Sequence, residues 1–529
     1  MKQVKKLPIG IQDFETLIGN DCIYIDKTEY IHKLLTAGGN TFFLSRPRRF
    51  GKSLLLSTIK AMMEGRRELF EGLFIYDKID WEPYPVILLD MGGLATGSAE
   101  EFKDSLKREV RRRAVGYDIT WNEADIPANN LLLEFITTLR EKTGKQVVLL
   151  VDEYDKPILD AMNDLPRADQ IRDILRNFYT VIKSISGDLR LTVLTGVSKI
   201  SQVSIFSGLN NLNDISLDEK YAGICGYTQQ ELESAFEPYI NELSRKYKIS
   251  HKEALDKIRY WYDGYSWDGQ TFVYNPFSVL LSFDKKMFHS WWFATGTPTF
   301  LLKLIRKRAD FSAVLEDQIL QYPGFTDKQA LEKLDLIPLL FQTGYLTIKG
   351  IDERERYQLE IPNTEVKKGL TESLFASMAD MENSRVPLFA DLLYDHFREG
   401  NVEAAVDDLR TLFSGVTYDT HIPAEKHYHA MFQMAMILVG INHQAEVHTD
   451  KGRVDSVLRF PDKTYVIEIK YAPKEDELEQ ALTTAMDQIK EKGYHEQYRL
   501  PGKQLCLLAL AFTKGEIAYK CASGDEVRT

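Results

Sequence analysis

Four short, continuous apolar runs constrain the fold of this chain more than any other feature: Thr41–Ser45 (TFFLS), Pro85–Asp90 (PVILLD), Val147–Val151 (VVLLV) and Leu189–Thr195 (LRLTVLT). A half-exposed strand alternates apolar and polar residues, whereas unbroken runs suit strands covered on both faces. Helical spacing lies between them, around Lys52–Glu64 and Ile171–Ser184. The order predicts a parallel sheet with helices on both faces, an α/β layout.

The chain continues well beyond that sheet. Its 529 residues suggest roughly three or four domains at about 100–200 residues each. After about Asp214 strand-like runs thin out, and 215–410 reads as mainly helical with aromatic connectors, WYDGYSWDG (261–269) and WWFATGTP (291–298). Those aromatics are read as packing rather than as a base-stacking platform. From about Gly415 the pattern is helix (Glu425–Gly440), three strands (Gln444–His448, Val454–Phe460, Tyr465–Lys470), a long helix (about Glu475–Lys492) and two strands (Gln504–Phe512, Glu516–Cys521). The expected domains are therefore 1–214, 215–410 and 411–529.

Charge and cysteine content exclude several classes. With 66 Lys+Arg against 78 Asp+Glu the net charge is −12, unsuited to passive coating of nucleic acid, although local basic patches remain available. Cys22, Cys225, Cys506 and Cys521 have no C-x-x-C spacing, so neither a zinc ribbon nor a disulfide framework is indicated. The N-terminal MKQVKKLPIGIQDF has no apolar secretion-signal core, and the longest apolar stretch, around Met431–Ile441, is too short to span a membrane, so the expectation is a soluble, cytoplasmic protein.

Phe50-Gly51-Lys52-Ser53 falls between the first strand and the first helix. A strand–loop–helix passing through Gly-Lys-Ser is how phosphate-loop proteins hold a nucleoside triphosphate. Backbone N–H groups and the helix N-terminus face the anion, Lys52 reaches the β/γ-phosphates, and the Ser53 hydroxyl ligates Mg2+. The full pattern wants glycine at position 46, where this chain has Arg46 followed by Pro47-Arg48-Arg49. That predicts a stiffer, more basic loop, with Arg48 and Arg49 available to phosphate. The plainer alternative is a helix that merely begins Gly-Lys-Ser. Against it, Val147–Val151 runs directly into Asp152-Glu153. In such a pair the Asp holds Mg2+ and the Glu polarises the attacking water. Thr195 and Ser198 follow the next strand, where a polar side chain could sense the γ-phosphate.

A second constellation lies near the C-terminus. Asp455 sits on one predicted strand, and Glu468 and Lys470 on the next. Strand positions two apart share a face, so Glu468 and Lys470 point the same way. Two carboxylates and a backbone carbonyl make a hard-oxygen site for Mg2+, with Mn2+ an alternative, and a lysine beside them can orient water against a phosphodiester. Acid-x-Lys triplets are common, and Glu101/Lys103 and Glu365/Lys367 are others in this chain; a surface salt bridge is the plainer alternative. Glu425, Glu446 and Gln488 are candidate supporting residues on adjoining elements. His427, His429, His443 and His448 match no zinc spacing and are read as ordinary histidines.

Together these residues give the chain a resemblance to bacterial proteins that join an AAA-ATPase-like domain to a C-terminal PD-(D/E)XK nuclease-superfamily domain. It is carried in front by Tyr24–Thr28, Arg46–Ser53, Val151–Pro157, Thr195–Ser198 and Ser207–Leu212. In the middle Tyr262–Tyr265 and Tyr274–Ser278 match, and at the back Gly452–Asp455, Glu468–Lys470 and Gln488–Tyr494. The resemblance implies that the missing first glycine is a family trait. It implies a restriction-endonuclease-like α/β fold for the C-terminal domain, with Asp455, Glu468 and Lys470 as nuclease core supported by Glu425 and Gln488.

The expected function is an ATP-binding, hydrolysing protein coupled to a metal-dependent nuclease acting on nucleic acid, with DNA as first candidate. Homo-oligomers are left open. A basic stretch (Lys103, Lys107, Arg108, Arg111, Arg112, Arg113) could assist, although a solvated helix face is the plainer reading. The competing function is a nucleotide-dependent switch or scaffold whose nuclease-like domain only binds. The intact acid–acid–lysine set weighs against it.

Overall fold

The computed structural model describes residues 4–121, 126–198, 211–294, 301–302, 304–305, 318–320, 336–379, 381–414, 424–439, 442–449, 452–493, 496–499, 502–513 and 516–524. The chain divides into two compact units. One comprises Met1–Thr295 with Asp317–Val366, the other Gly296–Glu316 with Lys367–Thr529. Residues 215–410 thus contribute to both.

The first unit is built on a five-stranded parallel sheet of order β2-β3-β4-β1-β5. Its strands are β1 (Thr41–Ser45), β2 (Val86–Asp90), β3 (Val147–Asp152), β4 (Leu189–Gly196) and β5 (Asn213–Asp214). The four apolar runs are four of these strands. β1 and β3 are buried along their whole length, as runs without a polar face require. The helix Lys52–Met63 follows β1 and packs against the sheet through Leu55, Leu56 and Ile59. Beyond the sheet, the helices Gln229–Tyr247, His251–Tyr262 and Pro276–Lys285 share an apolar cluster that includes Phe236, Ile240, Ile258, Tyr262 and Phe283. Asparagine or hydroxyl caps start each one; Thr228 and Ser250 form capping boxes with Glu231 and Glu253. A small antiparallel sheet, β6 (Gln318–Leu320), β8 (Tyr357–Glu360) and β7 (Thr347–Ile351), completes the unit.

The second unit carries a five-stranded mixed sheet of order β13-β12-β11-β10-β9. Its strands are β9 (Asn442–Thr449), β10 (Gly452–Arg459), β11 (Lys463–Tyr471), β12 (Gln504–Phe512) and β13 (Ile517–Ser523). Only the β11–β12 pair is parallel, because only there does a helix, Leu478–Glu491, cross between strands. That helix buries Leu482, Ala485, Met486 and Ile489 against Val454, Val466, Leu507 and Ala509. The helix Ala424–Leu438 precedes β9, and its Tyr428 stacks on Phe512 with ring centroids 5.7 Å apart. The expected order of helix, three strands, helix, two strands is the observed one.

Among the described residues, no helix is long and apolar enough to cross a membrane.

Candidate functional site

In the first unit, the turn after β1 and the turn after β3 lie side by side because their strands are both neighbours of β4. Two residues of the first turn have left-handed backbones, Arg49 (φ 67°) and Gly51 (φ 94°). Gly51 is the N-cap of Lys52–Met63, so it brings the loop tightly onto the helix N-terminus. Arg46 is not among the left-handed residues. Its side chain is fully buried and donates to the carbonyls of Ser45, Ser216 and Tyr221 at 2.8, 2.8 and 3.2 Å. This corrects the expectation of a more basic cradle at that position. The Arg46 charge is spent inside the core, and Arg48 and Arg49 alone give the loop its basic face.

Lys52 is buried, and its ammonium donates to the carbonyls of Arg46 and Pro47, both at 3.0 Å. Burial lowers its pKa and the nearby Asp152 opposes that shift. Asp152 accepts from the Thr195 hydroxyl at 2.6 Å and from the Glu153 amide at 3.0 Å. Glu153 has a left-handed backbone (φ 52°), and burial raises its carboxyl pKa. Ser198 is fully buried; its hydroxyl and amide both donate to Asp155 Oδ2 at 2.7 Å. Thr195, near the end of β4, and Ser198, just after it, are therefore bonded to Asp152 at the end of β3 and to Asp155 in the turn that follows. The Phe50 ring is buried edge-on against Tyr265 and Trp267, so the aromatic connector is packing here.

A cleft of about 330 Å³ opens over this loop, lined by Arg48, Arg49, Lys52, Ser53, Glu153 and Phe277 among others. Sequence reasoning missed Asp90, Gly92 and Asp155. Asp90 ends β2 in register with Asp152, and a Cβ at Gly92 would lie 2.2 Å from Glu153 Oε2. The signal was available: PVILLD, like VVLLVD, ends a buried strand in Asp.

In the second unit, β10 and β11 pair from Arg459↔Thr464 to Ser456↔Ile467. Just beyond the last pair stand Asp455 and Glu468. Asp455 Oδ2 accepts from the Ile469 amide at 2.8 Å, so a side chain takes over the ladder's donor. The Lys470 ammonium lies 2.9 Å from Glu468 Oε1, as their shared strand face requires. Glu468 is 1% exposed, and its pKa is pushed up to about 7, first by burial and then by the Asp455 charge. Its other oxygen, Oε2, is buried and has no hydrogen-bond partner among the described residues.

Two residues from the helix Ala424–Leu438 reach Asp455. His429 Nε2 is 3.3 Å from Asp455 Oδ1, and Gln433 Nε2 donates to the Asp455 carbonyl at 3.1 Å. His429 was read as an ordinary histidine and Gln433 was not noticed. Their i, i+4 spacing, in line with Glu425, was the signal that could have found both. The side chains of Glu425, Glu446, His427, His443 and His448 lie outside the described residues, as do residues 207–210 and 494. Gln488 is half-buried on the helix Leu478–Glu491.

Among the described residues no three or more His, Cys, Asp or Glu side chains form a ready metal cage. Asp455 with the unpartnered Glu468 oxygen nevertheless fits a hard divalent cation that keeps several waters, since such an ion needs only one or two carboxylates. In the basic stretch, Lys103 is paired with Glu100, and Arg112 and Arg113 with Glu109.

A family model described as "Predicted AAA-ATPase" matches residues 8–206, and one described as "PD-(D/E)XK nuclease superfamily" matches residues 423–521. A relative from Azotobacter chroococcum mcd 1, "Uncharacterized protein in vnfD 5'region", is 37% identical over 522 residues, covering 96% of this chain and 97% of its own. Two solved structures match at 12% identity, each over 70% of this chain and 97% of its own. They are the Aeropyrum pernix ORC2 protein (TM-score 0.25) and Cdc6p from Pyrobaculum aerophilum (TM-score 0.24).

Proposed function

We propose a function for a chain that belongs to the same family as the Azotobacter chroococcum protein, with an AAA-ATPase-like region ahead of a PD-(D/E)XK nuclease-superfamily region. It binds and hydrolyses ATP in the first unit and cleaves phosphodiesters of nucleic acid, DNA in first place, in the second. The division 1–214, 215–410 and 411–529 and a cytoplasmic location belong to the same proposal.

In the nucleotide cleft, Gly51 and the helix N-terminus behind it receive the phosphates. Arg48 and Arg49 add charge, and Phe50 contributes backbone only. Lys52 exchanges its two loop carbonyls for phosphate oxygens. Ser53 and Asp152 would hold Mg2+, which neutralises phosphate charge. Glu153, half-buried and with its pKa raised by that burial, takes the place of the water-polarising residue. Ser198 supports the site through Asp155.

In the second unit Asp455 and Glu468 would hold Mg2+ or Mn2+, whose contribution is Lewis-acid stabilisation of charge developing on phosphate. Lys470 fixes Glu468 and orients water. Gln433 and His429 hold Asp455, and Glu425, Glu446 and Gln488 are supporting positions. The observation that carries this reading is Glu468 Oε2: a buried carboxylate oxygen without a partner, beside a second acid and a lysine, is costly unless a ligand takes it.

The test incubates the full chain with Mg2+ or Mn2+, with and without ATP, on single- and double-stranded DNA and RNA. Cleavage present in wild type and lost in Glu468→Ala supports the nuclease. Its response to ATP and to Lys52→Ala measures coupling. ATP binding without any cleavage above the Glu468→Ala background transfers the reading to a nucleotide-dependent switch or scaffold.

A further inference from the structure

The phosphate loop is held from outside itself. The indole Nε1–H of Trp292 donates to the carbonyl of Arg48 at 3.0 Å, across 244 residues of sequence. A trans peptide is planar, with its C=O and N–H pointing in opposite directions, and no cis bond is present. Fixing the Arg48 carbonyl toward Trp292 therefore aims the Arg49 N–H the other way. Arg49 is also the loop's non-glycine residue in the left-handed region, at φ 67°. Such a backbone is strained for a residue with a side chain and persists only where its surroundings hold it.

The indole is itself seated. Trp292 is 6% exposed and packs against Tyr345 with centroids 5.3 Å apart. Its backbone N–H donates to Glu365 Oε1 at 2.7 Å, and the Ser278 hydroxyl donates to the same oxygen at 2.9 Å. Glu365 is completely buried, with Oε2 lacking a hydrogen-bond partner and its pKa pushed up to about 8 by burial. Neither residue has a role in the two sites described above. Nearby, Gly344 (φ 90°) passes so close that a Cβ there would lie 2.7 Å from Pro47. Two segments far apart in sequence, at Trp292 and at Gly344, thus contact the loop.

We propose that Trp292 and Glu365 are positioning residues of the nucleotide site: the indole sets the Arg48–Arg49 peptide, and Glu365 sets the indole. The loop lacks the first glycine of the usual pattern, and Arg46 is locked in the core. The shape of its phosphate-facing half is imposed by this external clamp. The inference rests on the nucleotide reading of this loop, and the experiment separates the two.

The experiment measures ATP binding to the full chain by calorimetry, together with the tryptophan fluorescence change on adding ATP. The proteins are wild type, Lys52→Ala, Trp292→Phe, Glu365→Gln and Glu365→Leu. Trp292→Phe keeps an aromatic ring in the seat and removes the N–H together with part of the indole. Losing the hydrogen bond predicts ATP binding about five- to tenfold weaker, in a nucleotide-free protein that still folds cooperatively and melts somewhat below wild type. Glu365→Gln still offers an oxygen to Trp292 and Ser278, and binds within about twofold of wild type; Glu365→Leu falls to the Trp292→Phe level. The ATP-induced fluorescence change is present in wild type and lost in Trp292→Phe. Equal ATP affinity in wild type and Trp292→Phe overturns the clamp while leaving the nucleotide reading intact. Glu365→Leu binding ATP as well as wild type overturns the role of Glu365. A wild type that binds ATP no better than Lys52→Ala sinks the nucleotide reading, and the clamp with it.

Discussion

The guanidinium of Arg46 lies 3.9 Å from the ring centroid of Trp267 while donating to three backbone carbonyls. A residue at the place of a phosphate-loop glycine is thus a core anchor. It ties β1 to the turn after β5 and to the aromatic connector.

Restoring the glycine should therefore harm the protein. Arg46→Gly leaves the Ser45, Ser216 and Tyr221 carbonyls short of a donor, at about 1–3 kcal/mol for each one left unsatisfied. Thermal unfolding should show a lowered Tm and no gain in ATP affinity.

Lys52→Ala should weaken nucleotide binding strongly with modest loss of stability. Its ammonium touches only loop carbonyls in the described structure, and charge-assisted bonds to phosphate contribute about 1.5–3 kcal/mol each. A loss of roughly ten- to hundredfold or more in ATP affinity, read by calorimetry, is expected.

Glu468→Gln should remove divalent-ion binding in the second unit while preserving its fold. The amide keeps the shape but cannot supply an anionic oxygen beside Asp455. Mn2+ titration monitored by electron paramagnetic resonance should show a site in wild type that is missing in the variant. An unchanged site would remove Glu468 from the metal set.

Glu365 makes stability fall with rising pH. Its folded pKa, about 8, stands above the usual 4.5, so the folded state keeps a proton that the unfolded chain has released. The stabilisation is complete below about pH 4.5 and is lost as pH rises through about 8. Tyr262 and Tyr265 face the same carboxyl and stay neutral in this window, because burial raises both. Melting curves should show Glu365→Gln gaining on wild type as pH rises from about 4.5 to about 8, with no further gain above that.

Gly196→Ala should destabilise the first unit. The added Cβ would lie 2.5 Å from the buried Tyr154 ring and 2.6 Å from Asp155 Oδ1. Overpacking of this kind costs about 1–3 kcal/mol, visible as a lower denaturation midpoint.

What the sequence determined by itself is local. Unbroken apolar runs become buried parallel strands because a strand without a polar face cannot meet water. Gly-Lys-Ser after one strand and Asp-Glu at the end of another mark where the proposed nucleotide site stands. Glu468 and Lys470 share a face because strand periodicity is two. Tertiary structure decided what no spacing encodes: that Arg46 turns inward, that Ser198 serves Asp155, that His429 and Gln433 reach Asp455, and that Trp292 holds Arg48. These contacts join residues 22 to 244 positions apart. Their partners are chosen by how buried polar groups find donors and acceptors once the chain has packed, and that requirement belongs to the folded interior rather than to any local pattern.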